Sequence, residues 1–396
     1  MNPLEIGAYT ATSAAGVGLI DMRSSIAARR SGLRRNDFPG CDLETWIGRV
    51  DGVEGVELPS DASHLASRNN RLAWMGLQQD GMLESIAQLK RRIGPERIGV
   101  VLGTSTSSIG STEEAYTKLL PDGRMPTELR EPLIHQLHST GTFVAMVTGL
   151  TGPSMTISTA CSSSAKVFAS AARWIGHGIV DAAVVGGVDS LCLSTLYGFN
   201  SLELLSESPC RPFDRRRDGI SIGEACGYAI VAKPGVLTDA RMWLLGYGES
   251  SDAHHMTHPH PEGLGAIMAI DRALDRARLD AGAIDYVNLH GTATPVNDRV
   301  EGRVLAQRFS GRTRASSTKG WTGHALGAAG ILEAVVTLEA MRAGEVFGTL
   351  NLEEPDPEAG FTVQIENVPM TIRRALSNSF GFGGNNATLV FGQMHD

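Results

Sequence analysis

Short runs of β-branched residues alternate with alanine-rich runs throughout this 396-residue chain, and its 46 glycines are spread between them. Runs of the first kind favour strands, runs of the second kind favour helices, and glycines permit the tight turns that connect them. This alternation predicts an α/β protein. The predicted strands are 98–103, 155–159, 182–186, 228–232, 243–249, 286–289 and 387–391, and the predicted helices are 69–89, 162–176, 264–277, 298–309 and 325–343.

The segment AKPGVLTD, residues 232–239, is the best candidate for a boundary inside the chain. It contains the proline and glycine that are typical of a connection. A chain of this length can form two or three domains or one large core in two parts. We therefore predict an N-terminal half over residues 1–239 and a C-terminal half over residues 240–396.

Composition and charge argue against several classes of protein. A hydrophobic content of 42% is typical of a soluble globular protein, and a net charge of −8 opposes non-specific binding of nucleic acid. The N-terminus lacks the basic head of a signal peptide, and no apolar run approaches about 18 residues, so we expect neither export nor membrane insertion. Five cysteines without a CxxC pair argue against a disulfide framework or a zinc site and favour a reducing cytoplasm.

Cys161 lies in TISTACSSSAKVFASAARWIG, residues 156–176, between a strand-like run and an alanine-rich helix. The free N–H groups at the start of a helix favour an anion, so we predict that the pKa of Cys161 lies below the free value of about 8.5. Such a thiol suits a nucleophile, although a buried structural cysteine is the commoner case. This stretch by itself leaves both interpretations open.

Two further motifs place reactive groups in short turns next to glycine. In YVNLHGTATPVNDRVE, residues 286–301, His290 ends a strand-like run. In STKGWTGHALGAAG, residues 317–330, Lys319 and His324 flank a turn that leads into an alanine-rich helix. Taken one at a time, a structural histidine and a surface lysine are the simpler interpretations.

Two more motifs have several interpretations. In SNSFGFGGNNATLVFG, residues 377–392, Phe382 lies among glycines and has the features of an aromatic plug on a hinge. This run resembles a phosphate-binding loop only loosely, because the Lys-Ser/Thr of a P-loop is absent. The histidine-rich segment DAHHMTHPHP, residues 252–261, lacks the helical frame of an HExxH site, so we predict a loop near a site entrance rather than a metal site.

Together the motifs resemble those of the elongating β-ketoacyl-acyl-carrier-protein synthases, the condensing enzymes of fatty acid and polyketide synthesis. The resemblance covers most of the chain and keeps the order of the family's motifs, which here read TACSSSA, GGVDS, RPFDRRRDGISIGEA, SSDAHHMT, HGTATPVND, STKGWTGHALGAAG and NSFGFGGNN. It implies a thiolase-like α/β fold, in which two similar halves form a layered α-β-α-β-α sandwich, and it implies a dimer.

The resemblance also implies a role for each reactive residue. Cys161 would take up the acyl chain as a thioester, and His290 and His324 would stabilise the enolate that forms when malonyl-carrier loses carbon dioxide. The backbone N–H groups of Cys161 and Phe382 would form the oxyanion hole, and Phe382 would also act as a gate to the acyl pocket. Within the family, the residues of the motifs STKGWTGHALGAAG and SSDAHHMT favour enzymes of polyene or secondary-metabolite clusters.

Other residues would support this chemistry. By the same resemblance Lys319 would form an ion pair with Glu301, while Thr292 and Thr294 would contact the phosphopantetheine arm of the substrate. The arm arrives on an acyl carrier protein, so no resident cofactor and no metal are implied. Local arginines would dock the acidic carrier. The candidates are Arg29, Arg30, Arg34, Arg35 and Arg68.

Three alternatives stay open at the level of sequence. A thiolase dependent on coenzyme A would usually have a second active cysteine where this chain has His324. A cysteine-dependent thioester hydrolase also pairs a thiol with an imidazole, but it needs neither a second histidine nor a lysine. A chain-length partner would usually lack the nucleophile, so Cys161 favours either a homodimer or the active subunit of a heterodimer with such a partner.

Overall fold

The structure of the protein is a computed structural model that describes residues 1–238 and 240–393. The predicted boundary between the halves falls on residue 239, which lies outside the described residues. The strands are β1 (Leu4–Ser13), β2 (Gly16–Val17), β3 (Arg34–Arg35), β4 (Trp46–Gly48), β5 (Ile98–Gly103), β6 (Ser154–Ile157), β7 (Ala182–Asp189), β8 (Ile222–Gly223), β9 (Ala225–Ala232), β10 (Met242–Ser251), β11 (Tyr286–Asn288), β12 (Arg314–Ser316), β13 (Glu345–Val346), β14 (Val368–Pro369), β15 (Arg374–Gly381) and β16 (Asn385–Gln393). The α-helices are α1 (Gly18–Ala27), α2 (Arg68–Leu77), α3 (Met82–Ile93), α4 (Ile109–Thr117), α5 (Ser139–Thr148), α6 (Ser163–Gly176), α7 (Leu193–Ser201), α8 (Leu264–Ala277), α9 (Pro295–Arg308), α10 (Lys319–Thr322) and α11 (Ala329–Ala343).

The main sheet consists of two half-sheets with the same strand order. In the N-terminal half the order is β6-β5-β7-β9-β1, and in the C-terminal half it is β12-β11-β15-β16-β10. In the N-terminal half β6 and β7 both pair with β5 in parallel, and β9 pairs antiparallel with β7 and with β1. In the C-terminal half β12 and β15 both pair with β11 in parallel, and β16 pairs antiparallel with β15 and with β10. A short antiparallel pairing of β1 with β10 joins the half-sheets. The prediction of an α/β fold with two similar halves is confirmed.

Two helices form the middle layer between the half-sheets. Helix α6 packs against β5 and β7 of the N-terminal half-sheet and against β10 and β16 of the C-terminal one. Helix α11 packs against β1, β7 and β9 of the N-terminal half-sheet and against β15 of the C-terminal one. Residues 329–341 of α11 are all buried, as expected for a helix that is covered on every side. Helices α2, α3 and α5 cover the outer face of the N-terminal half-sheet, and α8 and α9 cover that of the other half. These are the five predicted layers.

The predicted helix 69–89 is wrong as a single element, because it is divided into α2 and α3. Asp80 and Gly81 have φ angles of 52° and 70° between the two helices, and this left-handed conformation ends a helix. The carboxylate of Asp80 accepts hydrogen bonds from Thr10 Oγ1 at 2.7 Å and from the backbone N–H of Leu19 at 3.0 Å. These partners are distant in sequence, so the helical pattern of 69–89 did not reveal the break.

The half-sheets present their strand ends to a common region. The chain leaves β6 towards Cys161, leaves β11 towards His290, and leaves β12 towards Lys319 and His324. Ligands of open α/β sheets bind at the carboxyl ends of the strands, so this region is where a site is expected. Among the described residues, no helix is both long enough and apolar enough to span a lipid bilayer.

Candidate active site

Cys161 occupies a tight turn between β6 and α6. Ala160, the residue before it, has a φ angle of 51°, and α6 begins at Ser163. The side chain of Ser163 accepts a hydrogen bond from the backbone N–H of Thr159 at 2.9 Å, which stabilises the turn. Gly381 packs closely on the other side, because a Cβ atom at this position would lie 3.2 Å from the Cys161 nitrogen. The thiol is thus held in a buried position at the start of a helix, and only 4% of Cys161 is exposed.

His324 is in direct contact with the thiol. Its Nε2 atom lies 3.0 Å from the Sγ atom of Cys161. The backbone N–H of Leu326 points at the other ring nitrogen, Nδ1, at 3.2 Å. Since Nδ1 accepts this hydrogen bond, the proton of the neutral ring resides on Nε2 and faces the sulfur. Leu326 has a φ angle of 51°, so a left-handed turn supplies the N–H group that selects the tautomer.

His290 completes a cluster of three side chains. Its ring lies 5.4 Å from the ring of His324, at an interplanar angle of 84°. One donor atom from each of Cys161, His290 and His324 lies within 4.8 Å of the others. The Nζ atom of Lys319 is 3.4 Å from His290 Nδ1, so Nε2 carries the proton in this ring as well. Two N–H groups therefore approach the region of the sulfur.

The predicted ion pair between Lys319 and Glu301 is wrong. Lys319 instead forms a buried salt bridge with Glu333 of α11 and donates to the backbone carbonyl of His290. Glu301 accepts hydrogen bonds from the backbone N–H groups of His290 at 2.9 Å and of Gly291 at 2.8 Å. Burial raises the pKa of Glu301 to about 7, although these N–H groups oppose the shift. Glu301 therefore orients the backbone at His290, and Glu333 is the partner that the sequence did not indicate.

Burial sets the protonation of the cluster. Burial lowers the pKa of His290 well below its usual value, and the positive charge of Lys319 adds to this effect. Burial and Lys319 lower the pKa of His324 in the same way. Both rings are therefore neutral at pH 7 and act as hydrogen-bond donors rather than as cations.

The predicted lowering of the pKa of Cys161 is wrong. Burial raises the pKa of this thiol to about 11, while the charge of Lys319 and the backbone N–H groups of Phe382 and Cys161 act in the opposite direction. Desolvation of a thiolate outweighs these favourable contacts. Both N–H groups favour negative charge beside Cys161, and their role as an oxyanion hole stays a prediction.

A cavity of about 140 Å³ leads from the cluster, and Thr292, Thr294 and Phe382 are among the residues that line it. The hydroxyl groups of the two threonines lie 3.0 Å apart. The ring of Phe382 stacks on Phe199, with centroids 5.6 Å apart. Gly383, directly after Phe382, has a φ angle of 74°, so the ring stands on a turn that few other residues would adopt.

The histidine-rich loop lies at the cavity, as predicted. Met256, Thr257, His258 and Pro259 belong to the lining. The sequence did not indicate Phe199 or Leu326, which contribute an aromatic contact and a backbone N–H group. Glu333 lies in the apolar run of α11, where a carboxylate needs a buried partner, but the sequence does not say which cation that partner is.

The predicted arginines have different environments. Arg68 has a mostly buried guanidinium, which pairs with Glu54 and with Glu224, the latter at 2.6 Å. Arg29 pairs with Glu366, and Arg34 pairs with Asp51. Arg68 therefore belongs to the core of the N-terminal half, and it is not available to a docking partner. The docking role of the other arginines stays a prediction.

The fold and this site define an acyl-transfer enzyme that uses a thiol. Residues 66–234 match the family model described as "Beta-ketoacyl synthase, N-terminal domain", and residues 242–353 match "Beta-ketoacyl synthase, C-terminal domain". The chain belongs to the beta-ketoacyl synthase family. The first match ends at residue 234 and the second begins at residue 242, on either side of residue 239.

Curated relatives and solved structures agree with this assignment. The chain is 38% identical to the mitochondrial 3-oxoacyl-[acyl-carrier-protein] synthase of Arabidopsis thaliana, over 75% of this chain and 68% of that protein. It is 35% identical to 3-oxoacyl-[acyl-carrier-protein] synthase 2 of Synechocystis, over 76% of each chain. Its fold is similar to that of a ketosynthase from Xenorhabdus doucetiae solved in complex with its chain length factor, with a TM-score of 0.87, 35% identity, and coverage of 99% of this chain and 98% of that chain.

Proposed function

We propose that the protein catalyses the decarboxylative Claisen condensation of an acyl-enzyme thioester with malonyl-acyl-carrier protein. The product is a β-ketoacyl-acyl-carrier protein for fatty acid, polyketide or polyene biosynthesis. The observation that carries the proposal is the contact of 3.0 Å between Cys161 Sγ and His324 Nε2, with the neutral ring of His290 beside it. The names of the relatives that share the fold and the motifs support the same reaction.

Cys161 performs the first step, acyl transfer. Its sulfur attacks the thioester carbonyl of the acyl-carrier, a new carbon–sulfur bond forms, and the bond to the phosphopantetheine sulfur breaks. The proton of Cys161 ends on the departing thiol. The N–H groups of Cys161 and Phe382 stabilise the oxyanion, and the Nε2–H of His324 stabilises the sulfur as it gains charge.

His290 and His324 perform the second step. Malonyl-carrier loses carbon dioxide, and the electron pair of the broken bond moves into an enolate whose oxygen accepts hydrogen bonds from both Nε2–H groups. The α-carbon then attacks the carbonyl of acyl-Cys161, and Cys161 leaves as the thiolate and is reprotonated. Neutral donors suit this role, because they stabilise a developing negative charge without a proton transfer in advance.

Lys319, Glu333 and Glu301 position the donors. The Lys319–Glu333 pair holds the ring and the carbonyl of His290, and Glu301 holds its backbone N–H. Thr292 and Thr294 line the path that the phosphopantetheine arm would follow. The arm belongs to the substrate, so the reaction requires no resident cofactor and no metal.

The two halves supply different reactive residues. The half 1–239 supplies the nucleophile, and the half 240–396 supplies both histidines. An acyl carrier protein is the proposed partner in catalysis, and the protein acts as a homodimer or as the active subunit of a heterodimer. The Xenorhabdus ketosynthase, which was solved with a chain length factor, favours the heterodimer. Five free cysteines support a location in the reducing cytoplasm.

The test is incubation with acyl-carrier and malonyl-carrier, followed by mass spectrometry of the enzyme and of the carrier. The expected results are an acyl adduct on Cys161 and a β-ketoacyl-carrier product, and both are absent from the Cys161→Ala variant. Free acid without a new carbon–carbon bond would indicate a hydrolase, and transfer to coenzyme A would indicate a thiolase. An unchanged adduct in Cys161→Ala would overturn the assignment of the nucleophile.

A further inference from the structure

The histidine-rich loop brings two imidazoles together edge to face, with the ring centroids of His255 and His258 4.8 Å apart at an interplanar angle of 66°. The Nδ1 atoms of His255 and His258 lie 3.1 Å apart, and both side chains are exposed. The hydroxyl of Thr257 lies 3.3 Å from the first of these atoms and 3.0 Å from the second. In the same loop the rings of His254 and His260 lie 5.1 Å apart. Four imidazoles are thus gathered within residues 254–260, at the mouth of the cavity.

The separation of the two Nδ1 atoms suits a shared metal ion. Zinc binds imidazole nitrogen at about 2.0–2.1 Å with tetrahedral geometry, which places two such nitrogens about 3.3 Å apart. We propose that His255 and His258 bind a divalent transition-metal ion of the zinc class through their Nδ1 atoms, with water in the remaining positions. Imidazole is a preferred ligand of zinc, copper and nickel, whereas magnesium and calcium prefer oxygen.

The balance of protons follows from the contact. In the hydrogen-bonded pair, one Nδ1 atom carries the proton that the other accepts. A metal ion between them displaces this proton, and the ring that carried it takes up a proton on Nε2 instead, so both rings are neutral with their protons on Nε2 and no net proton is released.

The Cys161–His290–His324 cluster is the competing location for a metal ion. Its donor atoms lie within 4.8 Å of one another. However, the ammonium group of Lys319 lies 3.4 Å from His290, and this positive charge disfavours a cation. The loop instead contains a carboxylate, Asp252, whose oxygen accepts a hydrogen bond from the backbone N–H of His260 at 3.0 Å. Electrostatics thus favour the loop.

The loop is hydrogen-bonded to the turn that carries Phe382. The carbonyl of Met256, between the two proposed ligands, accepts a hydrogen bond from the backbone N–H of Gly383 at 2.7 Å. The backbone N–H of Asp252 donates to the carbonyl of Gly384 at 2.9 Å. A metal ion that fixes residues 255–258 therefore also restrains the turn at Phe382. If Phe382 is the gate of the proposed function, the metal slows acylation of Cys161.

Metal binding is tested directly, without reference to activity. The full-length protein is titrated with Zn²⁺ by calorimetry and with Co²⁺ by absorption spectroscopy. We expect one ion to bind per chain. The affinity should be at least about tenfold weaker in His255→Ala and in His258→Ala, because each variant loses one of the two ligands. The affinity should be unchanged in His177→Ala. His177 is an exposed histidine at the end of α6 and serves as the matched control.

Two outcomes would overturn the metal site. The first is unchanged binding in both His255→Ala and His258→Ala, which would leave only a hydrogen-bonded pair. The second is a thiolate-to-cobalt charge-transfer band that disappears in Cys161→Ala, which would place the ion at the catalytic cluster. Retention of binding without such a band in Cys161→Ala supports the loop.

The link to the gate is tested by the rate of Cys161 acylation with and without Zn²⁺. We expect the ion to slow acylation severalfold in the wild type and to have no such effect in His255→Ala, each variant being compared with its own metal-free rate. An equal effect of Zn²⁺ in both proteins would refute the link. Because the binding titrations need no turnover, they stand even if the protein forms no acyl adduct and the proposed function fails.

Discussion

The two halves of the molecule share a strand order but use the ends of their strands differently. In the N-terminal half, Asp189 at the end of β7 accepts hydrogen bonds from Thr104 Oγ1 at 2.7 Å, Ser105 N at 2.8 Å and Thr106 N at 2.9 Å. These contacts close the space beside β5. In the C-terminal half, the ends of β11 and β15 carry His290 and Phe382, and the cavity lies between them.

The connections that follow β6 in the N-terminal half and β12 in the C-terminal half also differ. The segment from β6 to α6 spans residues 158–162 and holds one reactive group, Cys161. The segment from β12 to α11 spans residues 317–328 and includes Lys319 and His324. The same topology therefore places a single thiol after the strand of one half, and a lysine and a histidine after the strand of the other. The difference lies in the loops, which is where α/β folds place their chemistry.

The largest expected effect concerns the buried charges of the C-terminal half. Replacing Lys319 by methionine leaves Glu333 buried without its partner, so we expect the free energy of unfolding to fall by about 3–5 kcal/mol. Urea denaturation measures this change. The exposed pair of Lys118 with Glu114 is the control, and Lys118→Met should cost less than about 1 kcal/mol. Equal losses in the two variants would show that the buried pair has no special role.

The two histidines are expected to separate the steps of the reaction. Removing either donor in His290→Ala or His324→Ala should lower the rate of condensation by roughly 100- to 1,000-fold. Acylation should be reduced more in His324→Ala, because only His324 is in contact with the sulfur, at 3.0 Å. Single-turnover measurements of adduct and of product distinguish the steps. Equal acylation rates in the two variants would contradict the division of roles.

A substitution of Gly327 tests whether packing against the N-terminal half positions His324, which belongs to the C-terminal half. A Cβ atom at this position would lie 2.6 Å from the backbone nitrogen of Ser105 and 2.7 Å from a carboxylate oxygen of Asp189. The turn at residue 326 must then shift, and its N–H group no longer selects the tautomer of His324. We expect Gly327→Ala to lower kcat/KM through this shift and to lower the free energy of unfolding by about 1–3 kcal/mol, which is what overpacking of this kind costs.

The ¹⁵N chemical shifts of the His324 ring distinguish this mechanism from a general loss of structure, because they report which nitrogen carries the proton. Gly282→Ala is the control, since a Cβ atom there meets nothing within 4 Å. Unchanged ring shifts in Gly327→Ala would exclude an effect through Leu326.

The pH dependence of the free thiol separates the effect of burial on the pKa of Cys161 from that of the helix start. Because the pKa of Cys161 is raised to about 11, the thiolate fraction should increase about tenfold for each pH unit between 7 and 9. The rate of alkylation by iodoacetamide at Cys161, followed by peptide mass spectrometry, should increase in the same proportion. A rate that reaches its plateau near pH 7 would show that the start of α6 lowers the pKa after all.

Much of the fold was predictable because its elements have strong local patterns. Strand 98–103 and helix 264–277 have the predicted bounds, since a short β-branched run favours a strand and an amphipathic run of 3.6-residue period favours a helix. The break at Asp80 and the pairing of Lys319 with Glu333 were not predictable. The break at Asp80 depends on contacts with Thr10 and Leu19, which are distant in the sequence. The pairing of Lys319 depends on which of several carboxylates the fold brings next to it.

The sequence by itself determined the α/β class and the family motifs that contain Cys161, His290 and His324, because these follow from local composition and from the order of motifs. Only the tertiary structure decided the protonation of these groups and the partner of Lys319. Burial depends on how the two half-sheets enclose α6 and α11, and the desolvation that results outweighs the effect of a helix start on the thiol.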